Sequence, residues 1–357
     1  MYLKMSNMPS PQPSLEKNYT TRGEFFQHNA MQTKSSNILA IILNWNETEQ
    51  TLCCIASLLS QNEVKCDILL IDNNSLNFPC HIFEKRYPFL NIIQNESNLG
   101  VAGGRNIGIN YALKNGYEYI LLFDNDAVAD HEMICHLLNS AKHNLDIGIF
   151  GPKIMQKNCP SKIWRAGCTS WTWVYLHSGH QIIKSFCSFI NINIPLRIDK
   201  ERGNNQYDTG QYDNEENIDF QIGCAQFIRN SVFEKIGILD EMFSPYGSED
   251  IDFCVRAMEA GYKIRYVPSS VCWHRTENNF NDNYKRSFNN CKNIILLARK
   301  HMSPLYFTFI FLPDFILCTT PLVLTRDLLG KKAKKIKGYI DAIRWHCHHI
   351  KNHSLLL

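Results

Sequence analysis

A chain of 357 residues is long enough for one large domain or two, and far too long for a scaffold that must lean on disulfides. Hydrophobic residues at 45% and charged residues at 20% exclude wholesale disorder and a polytopic membrane protein. Lys+Arg 37 against Asp+Glu 34 leaves a formal charge of +3, too small to hold nucleic acid by electrostatics at physiological salt, so no nucleic-acid partner is expected.

Residues 1–36 are polar, lack an apolar stretch of signal-peptide length, and read as a disordered tail. The 14 cysteines show no CxxC pair and no finger-like spacing, which points to free thiols in a reducing cytosol. From Ile38 three apolar, β-branched runs follow, each ending in a polar knot. They are Ile38–Leu43 before Asn44-Trp45-Asn46, Ile68–Ile71 before Asp72-Asn73-Asn74, and Tyr119–Phe123 before Asp124-Asn125-Asp126. Such runs suit strands buried on both faces of a parallel sheet, and Glu47–Gln61 and Gly104–Asn115 between them have helical length. In an open α/β sheet ligands gather beyond the carboxyl ends of the strands, where all three knots fall. The expected class is α/β, a mostly parallel sheet flanked by helices.

A weaker strand, Ile147–Phe150, is expected to end at Gly151-Pro152, followed by a loop-rich stretch to about Asp219 that holds Trp164, Trp171 and Trp173. Order resumes at Phe220–Arg229 and Val232–Ile236. A helix then opens at Ser248-Glu249-Asp250-Ile251-Asp252 and is stopped by Gly261, and Ile264–Val267 forms a short strand before Cys272-Trp273-His274. This divides 37–282 into a nucleotide-binding half, 37–150, and an acceptor half, 151–282. The remainder, 283–357, reads as helical. Within it Leu305–Thr325 carries Asp314 as its only charge but is interrupted by Pro313 and Pro321 and flanked on both sides by basic residues. Positive charge on both flanks argues against a single crossing, and a segment of 303–340 lying on or re-entering a membrane surface fits better. A buried helical hairpin is the alternative.

Asp124 and Asp126 at a strand end can offer hard oxygen ligands to Mg2+ or Mn2+, although an acidic turn alone is a weak signal. Asp72 is suited to accept a nucleobase ring N–H, with Asn44 and Asn46 lining the same pocket; equally, Asp72 and its asparagines can simply turn the chain. The segment Asn98–Gly108 is glycine-dense, so Gly104 and a helix N-terminus can face an anion with Arg105 adding charge, or the glycines can serve close helix packing. Glu249 and Asp250 in a helix first turn complement the helix dipole and stay ionised, as a general base must. His274 is a possible neutral-imidazole ligand or a packed side chain.

Taken together, Leu43–Asn46, Ile71–Ser75, Asn98–Gly108, Phe123–Asp126, Gly223-Cys224-Ala225 with Arg229, and Phe243–Arg256 with Gly261 and His274 resemble family 2 inverting glycosyltransferases of the GT-A fold, in the rhamnosyltransferase-like branch that builds bacterial surface polysaccharide. The resemblance covers roughly residues 38–300. It implies that Asp72 binds the base of a UDP-, dTDP- or GDP-linked sugar, with Asn44, Asn46, Asn74, Gly104 and Arg105 around the nucleotide. It implies that Asp124 sits near the ribose and the metal, that Asp126 ligates Mg2+ or Mn2+ with His274 as a further ligand, that Asp250 deprotonates the acceptor, and that Glu249 positions it. The implied acceptor is a glycan or polyprenyl-linked glycan, and the implied location is the cytoplasmic face of the membrane. Arg105 stands where many relatives carry a smaller polar residue, and Ser248 departs from some of them. A sugar-nucleotide pyrophosphorylase would share the sheet, but no Gly-rich, Lys/Arg-bearing phosphate loop precedes the first helix. A non-catalytic sensor would lack the base, and Asp250 is present.

Overall fold

The computed structural model describes residues 26–27, 34–168, 202–276, 283–330 and 332–352. Trp171 and Trp173 lie outside them. Strands β1 (Phe26–Gln27), β2 (Ile38–Asn44), β3 (Asp67–Asp72), β4 (Asn91–Gln94), β5 (Tyr119–Asp124), β6 (Ala127–Ala129), β7 (Ile147–Gln156), β8 (Cys159–Arg165), β9 (Glu216–Ile218), β10 (Ala225–Arg229) and β11 (Lys263–His274) form one sheet. Its order is β1-β4-β3-β2-β5-β10-β7-β11-β6, with β8 on β7 and β9 on β11. Strands β3, β2 and β5 are parallel, as the apolar runs predict, and β4, which no run marked, extends the parallel block. Beyond it β10 is antiparallel to both β5 and β7, so the sheet is mixed and not mostly parallel throughout. The reason is connectivity: β10 follows a long excursion, so no crossover helix forces it parallel.

Alternation along the buried strands feeds two cores. Ile38, Ala40 and Ile42 point to one face, where α1 (Thr48–Leu59), α2 (Cys80–Arg86) and α4 (Met133–His143) contribute Leu52, Phe83 and Leu137. Leu39 and Ile41 point to the other, against Ile109 of α3 (Gly100–Lys114), Val232 of α5 (Asn230–Ile236) and Phe253 of α6 (Glu249–Glu259).

Three expected boundaries move. Phe26–Gln27, within the expected tail, pairs antiparallel with the exposed edge of β4, which offers free backbone groups, and Ser35 and Ser36 donate to Asp67. Strand β7 runs through Gly151-Pro152 to Gln156, so the 150/151 division cuts a strand buried along its whole length. Gly151 is required there because a Cβ would sit 2.0 Å from Gln221, and Pro152 comes after the last residue that β10 pairs with. Strand β11 likewise extends to His274, with an irregularity between Val267 and Val271.

C-terminal to the sheet, α7 (Asn283–His301) is followed by a helical run from Pro304 to Leu329 and by α8 (Ala333–Asn352). Two π-helical turns, Phe307–Phe311 and Phe315–Thr319, precede Pro313 and Pro321 and absorb the missing donors, so the prolines deform the run without ending it. Phe307, Phe311, Phe315 and Tyr339 stack in succession at 5.4, 5.6 and 5.9 Å and join α7 and α8 in a separate small core. Among the described residues no helix is long and apolar enough to cross a membrane. The cysteines whose side chains are described are free thiols.

Candidate active site

The pairing of β6 with the end of β11 sets Ala127 opposite His274, and this register swings the imidazole over the Asp124-Asn125-Asp126 turn. His274 Nε2 lies 3.1 Å from Asp126 and 3.5 Å from Asp124. Trp164 of β8 stacks on the imidazole at 4.3 Å with the rings 3° apart, which fixes its plane. Burial opposes the imidazolium, but Cys224 and the two carboxylates outweigh it, so the His274 pKa rises well above its usual value.

Asp124 Oδ1 accepts from Arg105 at 2.5 Å. Burial pushes this carboxyl up, yet Arg105 and His274 prevail and hold it below the usual range. Arg105 is 3% exposed and also donates to the Gly223 carbonyl at 2.8 Å. Gly223 N–H in turn donates to Asp250 Oδ2 at 2.7 Å, and Ile251 N–H to Asp250 Oδ1 at 2.9 Å. Through Arg105 and Gly223, therefore, the acidic turn after β5 and the acidic start of α6 share one locality. A side chain at Gly223 has no room, since a Cβ would meet Arg105 at 2.8 Å and Asp250 at 3.3 Å.

Glu249 is buried, and its Oε2 has no hydrogen-bond partner. Burial, reinforced by Asp250, pushes its pKa up to about 7. Burial also raises Asp250, against the two backbone donors. Asp252, two residues on, does different work. It is fully buried and accepts from Arg256 at 2.8 Å, Lys300 at 2.7 Å and His301 at 2.8 Å, partners that override burial and hold its pKa at about 2. Helix α7 thus ties α6 down. It also reaches the loop before α6, where Lys292 donates to the carbonyls of Met242 and Ser244, and Asn293 to those of Phe243, Tyr246 and Gly247.

Most of the nucleotide-side candidates are engaged within the protein. Asp72 is wholly buried, and its oxygens accept from Asn44 Nδ2 at 2.8 Å, Ser75 Oγ at 2.5 Å and Ser75 N–H at 3.0 Å, so it organises a turn and does not face solvent. Asn44 is buried with it, and the exposed residues at that rim are Trp45, Asn46 and Asn74, the two asparagines at φ 60 and 61. Gly104 is buried under Leu43, where a Cβ would sit 2.5 Å away, so it serves helix packing. Arg105 is committed to Asp124 and Gly223. Several N–H groups at the start of α3 are also taken: Asn73 accepts from Leu99, Asn98 from Gly100 and the Pro245 carbonyl from Val101. The two regions still communicate, since Asn44 Oδ1 accepts from Thr51 Oγ1 at 2.8 Å and Thr51 Oγ1 accepts from Asn125 at 3.0 Å.

Sequence reasoning missed Cys224, whose sulfur lies with donor atoms of Asp124 and His274 in a group no more than 4.8 Å across. Nothing in its spacing signals this. It also missed the role of Trp164, noted only as an aromatic in a loop-rich stretch. The donor set of Asp124, Asp126, His274 and Cys224 is chemically suited to a divalent cation.

Known proteins agree with this architecture. The family described as Glycosyl transferase family 2 matches residues 39–237, and Glycosyl transferase family group 2 matches 220–329. The dTDP-rhamnosyl transferase RfbF of Shigella flexneri is 23% identical over 322 residues, which covers 87% of this chain and 96% of that protein. The low-salt glycan biosynthesis hexosyltransferase Agl10 of Haloferax volcanii is 25% identical over 237 residues, and the match spans 65% of each chain. A crystal structure of GalNAc-T7 with UDP, GalNAc and Mn2+ superposes with a TM-score of 0.51 at 15% identity, over 68% of this chain but only 43% of that one. The fold is GT-A, and because the first family match spans more than half of its length, the chain belongs to glycosyl transferase family 2 and is a glycosyltransferase.

Proposed function

We propose that this enzyme is an inverting, metal-dependent transferase that moves a sugar from a nucleoside-diphosphate donor to a glycan or polyprenyl-linked acceptor in surface polysaccharide biosynthesis. The observation that carries the reading is the meeting of Asp124, Asp126 and His274 with Glu249 and Asp250 across Arg105 and Gly223. Asp124, Asp126 and His274 would hold Mg2+ or Mn2+, which when bound neutralises charge on the diphosphate leaving group. Trp45, Asn46 and Asn74 form the exposed rim for the base and ribose, with Asp72 and Asn44 supporting them from below. The name of the Shigella relative favours a dTDP-linked donor over UDP- or GDP-linked ones.

Asp250 is the base in this reading. Two backbone N–H groups fix its carboxylate, and its remaining lone pairs are free to take the acceptor proton as the hydroxyl attacks the anomeric carbon opposite the diphosphate. Glu249 positions the acceptor. A second assignment, with Glu249 as the base, is favoured by its partnerless Oε2 and its pKa near 7. One experiment separates them: Asp250→Asn is expected to lower diphosphate release by about 10²-fold or more while leaving donor affinity intact. Undiminished turnover in that variant, with loss in Glu249→Gln, moves the role to Glu249.

Exposed Leu305, Phe309, Ile316 and Leu317, followed by exposed Lys332 and Lys334, support docking of the C-terminal helices on an anionic cytoplasmic membrane surface, where a lipid-linked acceptor resides.

A further inference from the structure

We propose that the Cys224 thiol is a ligand of the bound cation, so that this site selects a divalent metal by softness as well as by charge. The inference rests on the metal-dependent reading above and adds a residue to it. Cys224 sits just before β10, and its carbonyl accepts from Asp124 N–H at 2.9 Å, which pins its backbone beside the acidic turn. Its side chain is 3% exposed, yet it faces polar atoms: the sulfur, an Asp124 oxygen and a His274 nitrogen all lie within 4.8 Å of one another. Cys224 borders the hydrophobic core on one side and this polar group on the other. Cys54 is turned elsewhere, donating to the Asp124 main-chain carbonyl at 3.4 Å, and Cys272 contacts Cys224 from the core side.

The consequence is a choice of metal. Carboxylates alone suit Mg2+, which takes oxygen ligands and sheds its waters reluctantly. A set with one imidazole and one thiolate moves preference away from Mg2+ toward Co2+ and Zn2+. Binding deprotonates the thiol, whose proton passes to solvent as the sulfur–metal bond forms.

The test titrates the metal-free full-length enzyme with Co2+ and reads its absorption spectrum. The expected result is a near-ultraviolet sulfur-to-cobalt charge-transfer band together with visible ligand-field bands. The former should be lost in Cys224→Ser and Cys224→Ala, while Cys54→Ser keeps both. Asp124→Asn should weaken both together, and Zn2+ should displace the cobalt where a large excess of Mg2+ does not. Ligand-field bands without a charge-transfer band in the wild type overturn the inference and leave the metal site standing. So does a charge-transfer band that survives in both Cys224 variants. Absence of any cobalt binding by the wild-type enzyme overturns the inference and the metal reading together.

Discussion

Glu249 shows how a single side chain can be costly to the fold and useful to the reaction. A carboxyl that titrates near 4.5 when solvated and near 7 in place is disfavoured in its charged form by burial and by Asp250. Because the native pKa is raised, the unfolded chain ionises first, so stability falls as pH rises from about 4.5 to about 7 and stays low above that. Replacing Glu249 with Gln should therefore stabilise the protein by about 2 kcal/mol at pH 8 and by little at pH 4, as denaturant titrations at the two pH values would show. The same variant should flatten any rise in kcat/KM through pH 7. Of the residues read from sequence, Asp124, Asp126, His274, Glu249 and Asp250 are gathered by the fold, because a polar knot after an apolar strand and acids opening a helix have a position fixed by topology. Asp72, Gly104 and Arg105 were legible as special but not in their orientation. Whether a polar group at a strand end faces solvent or an adjacent turn depends on neighbours such as Ser75 and Gly223, which are remote from periodicity.

At the level of elements, the contact of α3 with the sheet depends on missing side chains. Gly104 lies against Leu43 and Gly108 against Ile41 and Ile71, where added Cβ atoms would come within 2.5 and 2.6 Å. Gly108→Ala must push Ile41, at the centre of β2, and is expected to cost about 1–3 kcal/mol, measurable as a lowered urea midpoint with an unchanged slope. Of the parallel block, only β2, β3 and β5 and the helices α1 and α3 were plain in the sequence, since fully buried strands show as unbroken apolar runs. Strands β8 and β9 were not, being short, half-exposed and embedded in polar residues. Neither was the full length of β7, because glycine and proline ordinarily mark an end and here fit a close contact with Gln221 and a position beyond β10.

Across the whole molecule, charge and apolar surface are distributed unevenly. The exposed Leu305, Phe309 and Leu317 precede a lysine-rich segment, whereas the reaction centre lies at the carboxyl ends of the sheet strands. Phe309→Asp together with Leu317→Asp should reduce co-sedimentation with vesicles containing anionic phospholipid severalfold while leaving the melting temperature unchanged, because both side chains are exposed in the folded chain. Equal retention on neutral and anionic vesicles, or no loss in the double variant, would remove the docking surface. The helical character of 283–301, 304–329 and 333–352 was readable from composition. Its attachment to the sheet-bearing unit was not, since the joining residues Lys292, Asn293, Lys300 and His301 are polar, although they share a face with the buried Leu296 and Leu297.

That attachment bears on any attempt to recombine these enzymes. A chimera spliced at 282/283, grafting a foreign C-terminal segment onto the sheet-bearing part of this chain, would strip Asp252 of two partners and deprive five main-chain oxygens between Met242 and Gly247 of their donors. Such an exchange keeps every acidic residue of the reaction centre and still disorganises the ground on which Glu249 and Asp250 stand. A transplantable unit must therefore carry α7 together with the helices that share its core.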